Sequence, residues 1–209
     1  MRKKLIIAAL AALVVSLMAY GTVAYMTAET TAHNIITAGS VDIVLYDKSR
    51  PEGDDGQTPI EQLPDFPAQG LRVMPGTEAS KLVAVAKASS SADCWVRVKL
   101  TPTLTLADGT SRTMTADDPI TLVLNSTDWL AGEDGWFYLQ RPLTGDEPLS
   151  ELLLSAVRFE PGMGNQYQGS TLSIDVSAQA VQSKNNDIPQ ASAENPNPTV
   201  EDVGGWPQD

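Results

Sequence analysis

The residues best able to carry out chemistry in this chain are a single histidine, His33, and a single cysteine, Cys94. A structural zinc site needs about four Cys or His ligands, and a zincin needs two histidines one helical turn apart. A Ser/His/Asp or Cys/His arrangement would depend wholly on His33, and no Gly-x-Ser-x-Gly motif is present. We therefore predict no catalytic residues and no cofactor, and we interpret Cys94 as a small buried hydrophobic residue.

Two pairs of acidic residues, Asp54-Asp55 and Asp117-Asp118, are the remaining candidates for a metal site. Calcium prefers such carboxylate oxygens, but the spacing of an EF-hand loop is absent. We interpret both pairs as solvated loop acids and predict no metal.

A third candidate is an aromatic group formed by Trp129, Trp136 and Tyr138. These side chains could form a ligand-binding face, but large aromatic residues between short strands more often belong to a core. The core interpretation is favoured.

The charge balance excludes one class of partner. The chain of 209 residues has 14 Lys and Arg against 26 Asp and Glu, a formal net charge of -12. A nucleic-acid binder would need basic residues to neutralise phosphates, so we predict no nucleic-acid partner.

The first 24 residues are typical of a secretory signal, with a basic start at Arg2-Lys3-Lys4 followed by a long apolar run. Thr22 and Ala24 suit the small-residue pockets of a signal peptidase, so cleavage before Tyr25 is the first choice and cleavage after Gly21 the second. An uncleaved membrane anchor is the alternative, because about 20 apolar residues suffice to span a bilayer. We predict export in either case. Cleavage would remove three basic residues and shift the net charge from -12 to -15.

Hydrophobic alternation predicts strands in the rest of the chain. Val96, Val98 and Leu100 alternate with Trp95, Arg97 and Lys99, and Leu172 to Ala180 repeats the pattern, so each of these strands should have one buried face. Six to eight such short strands, with no segment of helical period after the N-terminal hydrophobic helix, predict an all-β antiparallel sandwich over residues 25–182.

Two segments outside the strands have their own character. Residues 47–70 are rich in Pro, Gly and Asp and predict a long loop, which is usually functional or mobile at that length. Residues 183–209 are acidic and contain four prolines, so they predict a disordered tail. Trp206 could dock on the sandwich, but a solvated position is favoured.

The start of the exported chain, about Tyr25 to Val44, is rich in threonine and β-branched residues and low in charge. Such a segment has strand propensity and could add to the sheet edge of another copy, or it could pair within its own sheet. The sequence leaves these two possibilities open. The candidate assembly residues are Met26, Thr30, Asn34, Ile35, Ile36, Gly39, Val41 and Ile43.

Three blocks in this order resemble the TasA/camelysin family of exported bacterial proteins: GTVAYMTAET at 21–30 leading to GSVDI at 39–43, MPGT at 74–77 with ADCWVRVKL at 92–100, and DGWFY at 134–138 with IDVSAQAVQ at 174–182. Met26 stands where the family more often has Phe. The resemblance covers about residues 1–184.

The resemblance implies a jelly-roll-like sandwich, processing by a SipW-type signal peptidase, and a secreted or cell-surface subunit of a biofilm-matrix fibre. It also implies a rival, because the camelysin branch has been classed with metalloproteases. A monomeric surface module that binds a ligand is a third possibility. The single histidine weighs against the protease.

Overall fold

The computed structural model describes residues 33–38, 40–67, 70–190 and 197–207. The predicted signal segment and its cleavage residues Thr22, Ala24 and Tyr25 lie outside these ranges, as do Met26, Thr30 and Gly39. Within the described ranges, no helix is long and apolar enough to cross a membrane.

Eleven strands and three short 3₁₀ turns make up the described chain, and the prediction of an all-β sandwich is confirmed. The strands are β1 His33–Ala38, β2 Ile43–Lys48, β3 Leu71–Arg72, β4 Glu78–Lys87, β5 Cys94–Thr105, β6 Ser111–Thr113, β7 Ile120–Leu124, β8 Trp129–Ala131, β9 Trp136–Leu139, β10 Leu154–Phe159 and β11 Thr171–Gln182. The 3₁₀ turns are Ile60–Gln62, Asn165–Tyr167 and Val200–Asp202.

Two sheets face each other. The larger has the order β1-β11-β5-β9-β8, with β3 also on β11 and β6 also on β5, and the smaller has the order β2-β4-β10-β7. The long strands β5 and β11 pair along their whole length, from Cys94 opposite Gln182 to Thr105 opposite Thr171. The β1–β11 pair is parallel, while the other described strand pairs are antiparallel.

The core lies between the sheets, where the alternation in β5 and β11 directs every second side chain inward. Val96, Val98, Val176 and Ala178 are all buried there, as the sequence predicted. Cys94 is also buried in this core, which confirms its interpretation as a packed hydrophobic residue.

The prediction of a wholly disordered tail over residues 183–209 is wrong for residues 197–207, which we call the C-terminal segment. Val200 and Val203 are each 3% exposed and pack against the outer face of the larger sheet together with Trp206. Val200, Val203 and Trp206 recur every three residues and so can lie on one side of a tight turn. The composition of the tail as a whole, which is rich in acidic residues and prolines, does not reveal this short apolar pattern.

The long loop over residues 47–70 is also more ordered than predicted. The backbone N–H of Ser49 donates to Pro64 at 2.9 Å, and that of Phe66 donates to Asp47 at 2.9 Å. Leu63 is buried. These bonds close the loop at its base. Strand β2 itself continues to Lys48, further than the sequence indicated.

Candidate functional site

The predicted assembly residues fall into two environments. Asn34, Ile35 and Ile36 belong to β1, which lies at the edge of the larger sheet in register with Val176–Val181 of β11. Val41 and Ile43 instead lie in the core between the sheets. Among the described residues, the candidate assembly strand is therefore restricted to β1, because residues that fill the core cannot leave without exposing it.

The edge position of β1 has a physical consequence. Its described pairing is with β11 alone, and Ile35 is 40% exposed. A strand at a sheet edge leaves one row of backbone N–H and C=O groups available for another strand. If β1 departs, the edge of β11 from Val176 to Val181 becomes available instead.

The possible Cys94–His33 pair is not assembled. Along β11, Cys94 stands opposite Gln182 and His33 opposite Val176. Six residues of strand at about 3.3 Å each separate the two backbone positions by roughly 20 Å. Burial also raises the pKa of the Cys94 thiol to about 12, so the thiolate needed for nucleophilic attack is disfavoured.

Of the paired loop acids, Asp55 and Asp117 are exposed as predicted, but Asp118 is buried rather than solvated. Both its carboxylate oxygens accept from Arg112, and it also accepts from the Thr115 N–H and the Tyr167 hydroxyl, each at 2.8 Å. The bonds from Arg112, followed by those from Thr115 and Tyr167, hold the pKa of Asp118 well below its usual range.

Asp54 is held in a similar way, by Thr58, Arg50 and the N–H of Gly56, and these bonds lower its pKa to about 2. Among the described residues, no group of three or more His, Cys, Asp or Glu side chains could hold a metal ion.

The prediction of core aromatics is confirmed in two different places. Trp129 is 2% exposed in the core between the sheets, and its indole N–H donates to the Glu151 carbonyl at 3.1 Å. Trp136 and Tyr138 are equally buried, but they belong to a second cluster under the C-terminal segment.

Arg97 forms the centre of that second cluster, which we call the Arg97 face. The guanidinium donates to the Gln179 side-chain oxygen at 2.6 and 2.9 Å and to the Tyr138 hydroxyl at 3.0 Å. Its carbon lies 4.4 Å from the ring centroid of Trp136 and 4.9 Å from that of Trp206. Arg97 is therefore held between an aromatic side chain of the sheet and one of the C-terminal segment.

Asp134 completes the polar part of the Arg97 face. It accepts from the Tyr138 hydroxyl at 2.8 Å and lies 3.3 Å from Arg97. Burial is the main reason that the pKa of Tyr138 rises to about 12, and the bond to Asp134 acts in the same direction. The hydroxyl therefore stays protonated and remains a donor at neutral pH.

Sequence reasoning missed the Arg97 face because it predicted only one buried face on β5. Trp95 and Arg97 point away from the core, yet they are 7% and 8% exposed. The available signal was the pair Trp95 and Trp206, two large aromatic residues that the sequence analysis had placed outside the core.

A surface cavity of about 400 Å³ lies between residues 72–75 and 163–170. Met74, Met163 and Tyr167 supply apolar walls, and Arg72 supplies a charge. Ser170 also lines it and has a buried hydroxyl without a hydrogen-bond partner. The cavity has the size and mixed lining of a small-molecule site.

No family model, curated protein or solved structure matches this chain.

Proposed function

We propose that the protein is an exported, non-enzymatic structural subunit that assembles into a surface or matrix fibre by exchanging β1 between copies. The observation that carries this proposal is the position of β1, an edge strand that pairs in parallel with β11. The resemblance to the TasA/camelysin family supports the same function, with a SipW-type signal peptidase as the processing partner.

Exchange requires that the same bonds can form between copies as within one. Strand addition at a sheet edge relies on main-chain hydrogen bonds, which are independent of which copy supplies the strand. Residues 39–42 connect β1 to β2 of the other sheet, and Val41 and Ile43 stay in the core. Val41 and Ile43 can therefore stay in the core when β1 swings to the β11 edge of a neighbour.

The test is a disulfide trap at the register position Asn34 opposite Ser177. One preparation of the mature chain carries Asn34→Cys and a second carries Ser177→Cys, and the two are mixed, assembled and oxidised. Directly paired strand residues lie within disulfide range, so exchange predicts disulfide-linked pairs of unlike chains. Native Cys94 is buried and does not compete.

The matched control replaces Ser177→Cys by Thr101→Cys, because Thr101 lies on β5, on the far side of β11 from β1. We expect no specific cross-link there. The double variant with both Asn34→Cys and Ser177→Cys should lock β1 in its own sheet and abolish fibres seen by negative stain. Fibres formed equally well by the oxidised double variant would overturn the proposal.

The rival peptidase activity has its own readout. Casein incubated with the mature chain should stay intact with or without a chelator, and chelator-sensitive cleavage would replace the structural function by a metalloprotease.

The cavity beside Ser170 favours a second candidate, a monomeric ligand-binding module. Screening a small-molecule library by thermal shift, with Met74→Asp as the blocked control, tests it. A ligand that stabilises the native chain but not the variant would establish it.

A further inference from the structure

The Arg97 face resembles a peptide-binding site more than an ordinary sheet surface. Four buried side chains of the sheet form its floor: Trp95, Trp136, Tyr138 and Val181. Three side chains of the C-terminal segment pack against this floor: Val200, Val203 and Trp206. Trp206 packs edge-on against Tyr138, with ring centroids 5.6 Å apart. Buried tryptophan and tyrosine side chains beside an arginine are the composition of an interaction hot spot.

Polar contacts also fix the direction of the segment. Arg97 donates to the Pro207 carbonyl at 3.2 Å, and the Glu133 N–H donates to the Glu201 carboxylate at 3.3 Å. Thr199 and Asp202 form a reciprocal capping box that shapes the turn between the two valines. A short peptide of this sequence therefore carries both its anchors and its own turn.

The C-terminal segment contacts the sheet through its side chains and through the Pro207 carbonyl, as a bound peptide would. Its described elements comprise one 3₁₀ turn, and it forms no strand of the sheet in the described ranges. Elements held by few backbone bonds open at low free-energy cost.

Two buried indole N–H donors have no hydrogen-bond acceptor among the described residues when the C-terminal segment is bound. The indole N–H groups of Trp95 and Trp206 are buried, and neither has an acceptor in the described structure. Trp95 belongs to the floor and is 7% exposed, so the site itself contains an unpartnered buried donor. Such donors carry a desolvation cost and mark a place where a bound carbonyl would be favourable.

We propose that the Arg97 face is a peptide-binding site, and that residues 197–207 are its resident but exchangeable ligand. The ligand class is an acidic peptide with two valines three residues apart followed by Trp-Pro. The source of this ligand is the chain's own C-terminal segment, which packs on the face in the structure. The site lies on the outer face over β5, β9 and β11, away from the core, and is independent of the β1 exchange.

The test uses a fluorescent synthetic peptide of residues 197–207 and fluorescence anisotropy. The full chain with Val200→Asp and Val203→Asp releases its own segment and should bind the peptide. The native chain should bind about tenfold more weakly, because its site is occupied most of the time. A peptide carrying Trp206→Ala should lose about tenfold in affinity for the released variant.

Two further arms complete the experiment. Adding Arg97→Met to the released variant should abolish peptide binding, and the unreactive Cys94 thiol confirms that each variant is folded. In the native chain, excess peptide carrying Glu201→Gln should displace the resident segment and accelerate its cleavage after Glu201 by a glutamate-specific protease.

Light scattering checks that the segment binds within its own chain. The native chain and the released variant should have the same oligomeric state, and dimers that vanish only in the released variant would overturn binding within one chain. Absence of peptide binding to the folded released variant, or equal binding of the Trp206→Ala peptide, would overturn the proposal.

Discussion

Two buried cations, Lys81 and Arg97, are accommodated in opposite ways. The Lys81 side chain is fully buried at the inner face of β4, where Nζ donates to both carboxylate oxygens of Asp47 at 2.6 and 2.7 Å. Phe66 of the long loop covers it, with Nζ 3.7 Å from the ring centroid. Arg97 instead distributes its donors over a side-chain amide, a hydroxyl, a carboxylate and the carbonyl of Pro207.

The difference follows from the two headgroups. An ammonium is a compact, strongly hydrated charge, whereas a guanidinium is planar, more weakly hydrated and stacks on aromatic rings. Burial lowers the pKa of Lys81, and the carboxylate of Asp47 opposes that shift. Arg97 can be buried among largely neutral acceptors and two tryptophans.

The covers differ as well. Phe66 belongs to a loop closed at its base by backbone bonds, while no described backbone–backbone bond joins the C-terminal segment that carries Trp206 to the sheet. We expect the Lys81 site to open only with the whole domain and the Arg97 face to open locally.

Loss of Asp47 should have the largest effect. Asp47→Ala leaves the Lys81 charge buried without its carboxylate and should reduce the free energy of unfolding by about 3–5 kcal/mol in urea titration. The double variant Asp47→Leu with Lys81→Met should recover most of this loss, because it removes both charges. If Asp47→Ala is as stable as the native chain, the ion pair is not what holds this site.

Loss of the Arg97 side chain should reduce the free energy of unfolding by less than loss of Asp47 does. Arg97→Met removes the hydrogen bonds that Arg97 donates to Gln179 and Tyr138, and both acceptors are neutral groups, so we expect a loss of about 1–3 kcal/mol in the same titration. The C-terminal segment should also become more accessible to the glutamate-specific protease. Lys99→Met, on the same strand but more exposed, serves as the matched control. A stability loss as large as that of Asp47→Ala would contradict the comparison.

Truncation of Trp206, which covers the Arg97 face, should affect only the C-terminal segment. Trp206→Ala should lower the opening free energy of the C-terminal segment by about 1–2 kcal/mol, because it removes one partly buried ring. Hydrogen exchange should accelerate at residues 200–206 and stay unchanged in β5 and β11. Faster exchange throughout both strands would show that the segment is part of the global folding unit.

The thiol of Cys94 reports which kind of opening has occurred. At pH 8 a thiol reagent should not react with the native chain or with Trp206→Ala, and the reaction should accelerate in Asp47→Ala in proportion to the unfolded fraction. Because the folded pKa is raised to about 12 from 9.0, the unfolded state loses its proton first. The free energy of unfolding should therefore fall as pH rises from about 9 to 12. Labelling of the folded Trp206→Ala variant would show that local opening reaches the core.

Sequence patterns could predict the strands but not everything they bury. The alternation in β5 and β11 located both strands and the inward position of Cys94. The position of Lys81 could also have been read, because it shares its parity with Val83 and Val85 of β4 and so points inward. Its partner Asp47 could not, because 34 residues separate the two along the chain.

The Arg97 face was harder to predict from the sequence. The alternation assigned Trp95, Arg97 and Lys99 to a polar outer face, and nothing local to β5 indicated a cover. The cover is formed by residues about 110 positions later, in a segment whose composition is typical of disorder. The parallel pairing of β1 with β11 was likewise not predicted, because strand propensity does not specify a partner strand.

The sequence by itself determined the class of fold, the core-facing side of the main strands and the presence of one histidine and one cysteine, because periodicity and residue counts are properties of the chain alone. Only the tertiary structure decided which acids are buried, which cations they stabilise and which segment covers the outer face of the larger sheet. Those outcomes depend on burial free energy between residues distant in the chain, and three well-spaced apolar side chains suffice to order a segment that its composition marks as disordered.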